Sequence, residues 1–261
     1  MKRSKLAAKR IGSLACVGVG MTLGSHIGPL ARAYIENADV VFVAVSDAIV
    51  ELWVKQMNGD VRSLQPLYRD GKSRAETYRE MVEAMLVEVR AGKKVCGAFY
   101  GHPGVFAWPP HEAIRIARAE GYMAHMEPGI SAEDCLYADL GIDPGTFGCQ
   151  HYEASQLLYY KRRIDPTAYL IVWQAGVLAS QLNGSLHVLA ERLAQNYPPK
   201  HKLTIYRAAT LPIQSPRVER ITLRKLADAC IEPPDTLVIP PAGKLEPDLR
   251  TPRKLEKLAR A

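Results

Sequence analysis

Apolar residues occur along the first half of the chain in short continuous runs that are separated by amphipathic stretches. Such runs are typical of strands covered on both faces; they lie at 13–21, 38–45, 93–100 and 121–129. The segment 73–92 predicts a helix with an apolar stripe, and Ser73 with Glu76 forms a capping-box pattern at its start. The alternation predicts an α/β domain with a mainly parallel sheet and helices on both faces.

The second half has a different pattern. A strand is predicted at 168–174 and a helix at 185–197, and three more strands follow at short spacing, which favours antiparallel pairing; these are 202–208, 218–223 and 235–241. The segment 150–163 mixes aromatic and basic residues and predicts an amphipathic interface helix. We therefore expect two α/β domains, at 12–128 and 129–245, and a basic tail at 246–261.

Composition narrows the classes of protein. Of 261 residues, 48% are hydrophobic and 23% are charged, which indicates a soluble globular protein. No run has the length of a membrane helix, and the basic start is not followed by the apolar segment of a secretion signal. Five irregularly spaced cysteines favour a reduced, cytoplasmic protein without a metal site. The net charge of +7 is concentrated near the termini, so nucleic acid is disfavoured as a partner.

Candidate chemistry lies in three glycine-rich turns that follow predicted strands. They are "GVGM", "YGHPGVF" and "EPGIS". In open α/β sheets, ligands bind beyond the carboxyl ends of the strands, and glycine lets the main chain approach them closely. The chain has neither a complete G-x-G-x-x-G fingerprint nor a P-loop, which disfavours dinucleotide or ATP binding at such motifs.

These turns resemble those of the tetrapyrrole methylase superfamily, whose two-domain α/β enzymes hold S-adenosylmethionine in the cleft between domains. The segments "YGHPGVF", "MEPGISAEDCLYADLGIDPG", "GCQHYEASQLL" and "LIVWQ" are further similar to the borosin peptide backbone α-N-methyltransferases. In the fungal members the substrate peptide is fused to the enzyme. The charged segment "TPRKLEKLARA" does not resemble such a peptide, so the chain is similar to the split bacterial type, which acts on a separate precursor peptide.

Tyr68, Arg74 and Tyr78 are the candidate catalytic residues. A peptide nitrogen is a poor nucleophile because its lone pair is delocalised into the carbonyl group, so its methylation requires a base and a fixed cation. Arg74 and Tyr78 share a helix face, Tyr68 lies in the preceding loop, and a guanidinium is expected to favour a phenolate. Either tyrosine could be the base. Without the resemblance, the pattern favours the structural interpretation, which is a stacked Arg–Tyr pair at the start of a surface helix.

The resemblance also implies cofactor contacts, with S-adenosylhomocysteine as the product. The expected residues are Tyr100, His102, Val105, Phe106, Ser131, Ala132, Gln174, Tyr206, Ala208, Asp235 and Thr236. Members of the family form homodimers, so a homodimer, or a heterotetramer with the precursor, is expected. Three alternatives stay open: a tetrapyrrole methyltransferase of the precorrin type, a ribosomal RNA methyltransferase of the same superfamily, and a cofactor-binding scaffold for the precursor that has no enzymatic activity.

Overall fold

The structure is a computed structural model that describes residues 11–45, 47–69, 71–248 and 250–259. Contacts divide the chain into two compact units. The first comprises the described residues up to Leu136 together with Ala208–Ser215, and the second comprises Tyr137–Arg207 with the described residues from Pro216 onward. These units are defined by packing, whereas the domain ranges 12–128, 129–245 and 246–261 follow from sequence pattern and stay a prediction.

The first unit contains a five-stranded parallel sheet with helices between the strands. The strands are β1 Ser13–Gly18, β2 Val40–Ala44, β3 Val61–Ser63, β4 Lys94–Phe99 and β5 Met123–Glu127. The helices are α1 Pro29–Glu36, α2 Ala48–Lys55, α3 Arg74–Arg90, α4 Trp108–Ala119 and α5 Ala132–Leu140, the last of which continues into the second unit. The sheet order is β3-β2-β4-β1-β5, and every neighbouring pair is parallel.

Burial on both faces of this sheet explains the continuous apolar runs. Successive side chains on a strand point to opposite faces. Leu14 and Cys16 of β1 accordingly pack in the core cluster that includes Met85 of α3, whereas Val17 belongs to a second cluster with Ile35 of α1. All five of these residues are fully buried. Helices therefore cover both faces, as the sequence predicted.

The second unit contains a mixed five-stranded sheet. Its strands are β6 Cys149–Glu153, β7 Tyr169–Trp173, β8 Lys202–Arg207, β9 Arg217–Thr222 and β10 Thr236–Ile239, in the order β6-β7-β10-β8-β9. Its helices are α6 Pro144–Phe147, α7 Ala154–Tyr159, α8 Ala175–Gln181, α9 Ser185–Ala194 and α10 Arg250–Ala259. Only β6 and β7 pair in parallel; the other three pairings are antiparallel. The predicted α/β class and the antiparallel character of the second half are confirmed.

The prediction of one helix at 150–163 is wrong. Residues up to Glu153 form β6, which pairs with β7, and the Gln150 side-chain amide exchanges hydrogen bonds of 2.7 and 3.0 Å with the main chain of Asp165. This pairing holds the start of the segment in an extended conformation. Only α7 is helical, and it ends because Tyr160 has extended backbone angles.

The last described helix, α10, lies in the predicted basic tail. Its Leu255 and Leu258 side chains are exposed, and its remaining surface is largely charged. No helix in the described part of the chain has both the length and the apolar character needed to cross a membrane.

Tyr197 follows α9 and is a buried tyrosine with an unpaired hydroxyl. The residue is 2% exposed and its ring stacks on His201 at a centroid distance of 5.2 Å. Among the described residues, its hydroxyl has no hydrogen-bond partner. Burial raises the pKa of Tyr197 to about 12, and the negative charge of Asp165 acts in the same direction.

We predict that Tyr197→Phe raises the free energy of unfolding by about 1 kcal/mol, because a buried unpaired hydroxyl is destabilising. The raised pKa of Tyr197 in the folded state also means that stability is lost as the pH rises from about 10 to about 12. The Phe variant should lose part of this slope. Urea unfolding at several pH values measures both effects. Tyr159→Phe, at an exposed position, is the control, and a destabilised Tyr197→Phe protein would contradict the prediction.

Candidate active site

Three turns meet at the carboxyl edge of the parallel sheet, where β1, β4 and β5 end. The main chains of Gly20 and Gly101 form an antiparallel bridge, with N–H to O=C distances of 3.2 and 2.9 Å. A Cβ atom on Gly18 would lie 2.4 Å from the Gly101 carbonyl oxygen and 2.7 Å from the Gly129 Cα. Only glycine permits this approach, so the three predicted glycine-rich turns are packed against one another.

The turn after β4 is held by two imidazoles that contact one glycine. The Gly104 N–H donates to His102 Nδ1 at 2.9 Å, and the Gly104 carbonyl oxygen lies 2.9 Å from His111 Nε2 on α4. Because His102 Nδ1 accepts a hydrogen bond, a neutral His102 carries its proton on Nε2 and can donate there. Phe106, in the same turn, has a φ of 50°, a conformation that a bulky residue rarely adopts. Such strain is concentrated at functional sites.

The start of α3 positions two of the predicted catalytic residues. The Ser73 hydroxyl caps the helix by accepting the Glu76 N–H at 3.2 Å, as the sequence predicted. Arg74 and Tyr78 follow, one helical turn apart. Tyr68 lies just after a short 3₁₀ helix, and its ring makes an edge contact with the Tyr78 ring at a centroid distance of 6.5 Å.

Tyr100 completes this group. Its main-chain N–H donates to the Ala44 carbonyl at 3.1 Å, which fixes the residue at the ends of β2 and β4. Tyr100 interacts electrostatically with Tyr78, Arg74 and Tyr68. We call Tyr68, Arg74, Tyr78 and Tyr100 the phenol cluster. The structure thus brings together the three predicted catalytic residues and one predicted cofactor residue.

The protonation of the phenol cluster differs from the sequence-based expectation. Arg74 does favour the Tyr68 phenolate, but desolvation outweighs it, and the neighbouring phenols act with desolvation. Together these effects raise the pKa of Tyr68 to about 12. Desolvation also raises the pKa of Tyr100. Arg74 thus acts in the expected direction, but the net effect of the surroundings is to raise the pKa of Tyr68.

Ser131 and Ala132 lie at the start of α5, beside the turn after β4. A Cβ atom on Gly101 would lie 3.7 Å from the Ser131 Cα. The Ser131 hydroxyl accepts the N–H groups of Glu133 and Asp134 at 3.2 and 3.3 Å, and Asp134 Oδ2 accepts the Ser131 N–H at 2.7 Å. These bonds make Ser131 the N-cap of α5. Its contact with a cofactor stays a prediction.

The Ala208–Ser215 segment also belongs to the first unit. Thr22 Oγ1 donates to the Ala209 carbonyl at 3.1 Å, and the Leu23 N–H donates to the Thr210 carbonyl at 2.9 Å. The segment is therefore joined to the turn that follows β1. This placement brings the predicted cofactor residue Ala208, which is 7% exposed, into the same unit as the phenol cluster.

Gln174 is a strained residue of the second unit. It follows β7 with a φ of 58°, in the left-handed region. Two residues later, Gly176 packs so closely on the main chain of Glu232 that a Cβ atom would lie 1.7 Å from its carbonyl oxygen. The turn after β7 is thus pressed against the segment that leads to Asp235.

Asp235, Tyr206 and Thr236 are all buried in the second unit. The Asp235 carboxylate accepts Arg207 Nε at 2.7 Å, Arg217 Nη1 at 2.6 Å and the Glu232 N–H at 2.8 Å. Tyr206 donates to Asp139 at 2.7 Å and pairs with Thr236 across β8 and β10. These bonds give Asp235 and Tyr206 structural roles, and their predicted contacts with a cofactor stay predictions.

A cavity of about 600 Å³ lies at the opposite edge of the first sheet. It is lined by residues where β1, β4 and β5 begin, among them Ser13, Lys94 and Met123. Tyr34 and His125 also line it, with ring centroids 4.8 Å apart. None of the predicted site residues contributes to this cavity, so we place the candidate active site by its chemistry at the carboxyl edge of the sheet rather than by cavity size.

Comparison with known proteins identifies the family. A family model for tetrapyrrole (corrin/porphyrin) methylases matches residues 13–227, so the chain belongs to that family. The structure is similar to uroporphyrin-III-C-methyltransferase from Thermus thermophilus, with a TM-score of 0.62, 21% identity and coverage of 88% of this chain and 92% of that one. It is similarly close to a cobalt precorrin-4 methyltransferase, with a TM-score of 0.62 and 18% identity, covering 87% and 94% of the two chains. These likenesses confirm the predicted fold.

Curated relatives point to a particular branch. A Coprinopsis marcescibilis protein named methyltransferase/ribosomally synthesized type I borosin cyclic peptide precursor is 44% identical over 229 residues, which cover 84% of this chain and 59% of the relative. The omphalotin A precursor methyltransferase of Omphalotus olearius is 40% identical over 260 residues, covering 95% and 62%. The predicted relationship to borosin-type proteins is confirmed. The chain spans about three fifths of the length of these relatives.

We predict that Gly18→Ala lowers the free energy of unfolding by about 1–3 kcal/mol, because the added methyl group would overlap main-chain atoms of Gly101 and Gly129. Gly59→Ala is the matched control, since nothing lies within 4 Å of its Cβ position. Denaturant unfolding measures the difference between the two variants. Equal stability of both would contradict the close approach of the three turns.

Proposed function

We propose that the protein is an S-adenosylmethionine-dependent methyltransferase that methylates backbone amide nitrogens of a peptide. The observation that carries this proposal is the phenol cluster at the carboxyl edge of the first sheet. It supplies hydroxyl groups, of which those of Tyr68 and Tyr100 are partly desolvated, and the guanidinium of the exposed residue Arg74. The cluster lies beside the turns where ligands of parallel α/β sheets bind. The family match supports methyl transfer, and the names of the relatives support a peptide as the substrate.

The donor set of the first unit fits the cofactor. His102 can donate a hydrogen bond from Nε2 to a carboxylate, and Gly101, with a φ of 63°, presents its main chain without a side chain of its own. We propose that Tyr100, His102, Val105, Phe106, Ser131 and Ala132 hold the cofactor, with Ala208 on the adjacent segment. Gln174, Tyr206, Asp235 and Thr236 of the second unit stay predictions for further contacts. When bound, S-adenosylmethionine supplies the methyl group and a positive charge.

The phenol cluster can activate a peptide amide. Arg74 would stabilise negative charge on the amide oxygen, which makes the nitrogen more nucleophilic. We propose that the Tyr68 hydroxyl donates a hydrogen bond to the Tyr78 oxygen and that the phenolate form of Tyr78 would take the amide proton, directly or through water. Tyr78 would hold the proton that leaves the amide nitrogen, and Arg74 would face the charge on the amide oxygen. The methyl group that S-adenosylmethionine supplies would leave its sulfur for the nitrogen, so that S-adenosylhomocysteine would be the product.

The peptide is proposed to belong to a separate precursor, with which the enzyme, as a homodimer, could form a heterotetramer. The relatives, by contrast, are named as methyltransferase and precursor together.

Mass spectrometry tests the activity and the substrate. We expect added mass in steps of one methyl group on a supplied apolar peptide, with fragmentation placing the groups on backbone nitrogens, and no change in the mass of the enzyme. Methyl groups on the enzyme's own chain would contradict a separate substrate. The family match favours a tetrapyrrole as the second candidate. Methylation of a precorrin-type acceptor, but of no peptide, would establish that alternative.

We predict that Arg74→Ala and Tyr78→Phe each lower kcat by about 10²-fold or more, since each removes a group that acts on the reacting amide. Cofactor affinity, measured by calorimetry, should stay within about twofold, because neither residue is assigned to the cofactor. Arg115→Ala and Tyr159→Phe, at exposed positions, are matched controls. Full activity in both test variants would refute the catalytic assignment.

A further inference from the structure

Lys72 connects two elements on either side of the phenol cluster. Its Nζ donates to the Leu67 carbonyl oxygen at 3.2 Å and forms an ion pair with Glu80. Leu67 is the last residue of the 3₁₀ helix that immediately precedes Tyr68, and Glu80 lies on α3, two residues beyond Tyr78. The ammonium group thus joins the segment that carries Tyr68 to the helix that carries Arg74 and Tyr78. We call this arrangement the Lys72 clamp.

The low exposure of Lys72 makes its ammonium group depend on the partners that the clamp provides. Its side chain is only 10% exposed, and an ammonium group removed from water requires partners that compensate for its lost hydration. Glu80 supplies the opposite charge and Leu67 supplies a carbonyl oxygen. The Lys72 main chain is also fixed, because its N–H donates to the Arg69 carbonyl at 3.2 Å. Movement of Leu67 away from α3 would therefore leave a largely buried charge without one of its partners.

The Lys72 clamp affects the position of Tyr68. The Tyr68 N–H donates to the Gln65 carbonyl at 3.0 Å, so the residue moves with the 3₁₀ helix. Tyr68 is 44% exposed, and its contact with the Tyr78 ring is an edge contact that a small shift would break. Without the clamp, the Tyr68 segment would keep its loop connection and the apolar packing of Leu64 and Leu67 on the core cluster that includes Met81 of α3.

We propose that Lys72 is a positioning residue that holds the Tyr68 hydroxyl against Tyr78. This inference rests on the proposed function, because it concerns the same phenol cluster. Lys72 does not touch the reacting atoms. Its effect on methyl transfer passes through Tyr68, which distinguishes it from an ion pair that only stabilises the fold.

A double-mutant cycle tests this dependence. Lys72→Met is made in the native protein and in the Tyr68→Phe variant, and kcat and KM are measured with an apolar acceptor peptide. Misplacement of a positioned group can cost up to about 10²-fold, so we expect Lys72→Met to lower kcat by about tenfold or more in the native background. In the Tyr68→Phe background, the further loss should be less than about twofold, because the group that Lys72 positions is already absent.

KM for the peptide and cofactor affinity should stay within about twofold in Lys72→Met. An equal fold-loss in both backgrounds, or no loss in the native background, would overturn the proposal. If Lys72→Met does not fold, Glu80→Gln replaces it in the same double-mutant cycle. This substitution keeps the shape of the Glu80 side chain and removes the charge that pairs with Lys72. Lys93→Met is the matched control, because Lys93 pairs with Glu88 at the other end of α3 at 2.6 Å.

Hydrogen exchange provides a readout that does not depend on methylation. Main-chain amides from Leu67 to Arg69 should exchange faster in Lys72→Met than in the native protein, whereas Lys93→Met should leave them unchanged. Unchanged exchange in Lys72→Met would overturn the clamp itself. Failure of the native protein to methylate any peptide would instead count against the proposed function, and the exchange result would still decide whether the clamp exists.

Discussion

The close approach of the main chains at Gly18, Gly101 and Gly129 is the constraint on which the first unit depends. Three strands that are distant in sequence end at one place, and their turns touch without side chains between them. This contact fixes the relative positions of the residues that each turn carries, above all Tyr100, His102 and Ser131. The edge at which these residues lie is therefore made by backbone packing.

Desolvation and nearby charges determine how tightly the tyrosines at this edge hold their protons. The hydroxyls of Tyr68 and Tyr100 are partly removed from water, so their protons are held more tightly than those of free tyrosine. Arg74 opposes this effect at both residues without overcoming it. A second positive charge close to the cluster would act with Arg74 and favour the ionised forms. In the proposed reaction, the cofactor's own charge has this effect, which would link phenol ionisation to cofactor binding.

The sequence predicted the elements whose signal is local. Strands β1, β2, β4 and β5 are short apolar runs, and α3 has both an apolar stripe and a capping serine. The short strand β3 and the polar strand β6 were missed, because their formation depends on neighbouring strands that local pattern does not reveal. Helix α2 was missed although Asp47 caps it by accepting the Ile49 N–H at 2.7 Å; that aspartate was its available signal.

The candidate site also contains residues that the sequence could predict and properties that depend on the folded structure. Tyr68, Arg74 and Tyr78 could be selected from spacing and resemblance, and the structure places them together. The direction of the Tyr68 pKa could not be predicted, because it depends on how much water the folded chain removes. His111 and Lys72 were also missed. Each is a single polar residue whose importance comes from a partner several residues away, Gly104 for one and Glu80 for the other.

The glycine contact has a consequence for how such a protein can diverge. The contact itself has no side chain that could be exchanged, and a methyl group added to Gly18 or Gly129 would overlap main-chain atoms. Variation that preserves the fold is easier at exposed positions. Phe106 and Trp108, which follow β4, are 43% and 46% exposed. Exchange of these two aromatic residues would change the exposed surface of this segment while the glycine contact stays unaltered.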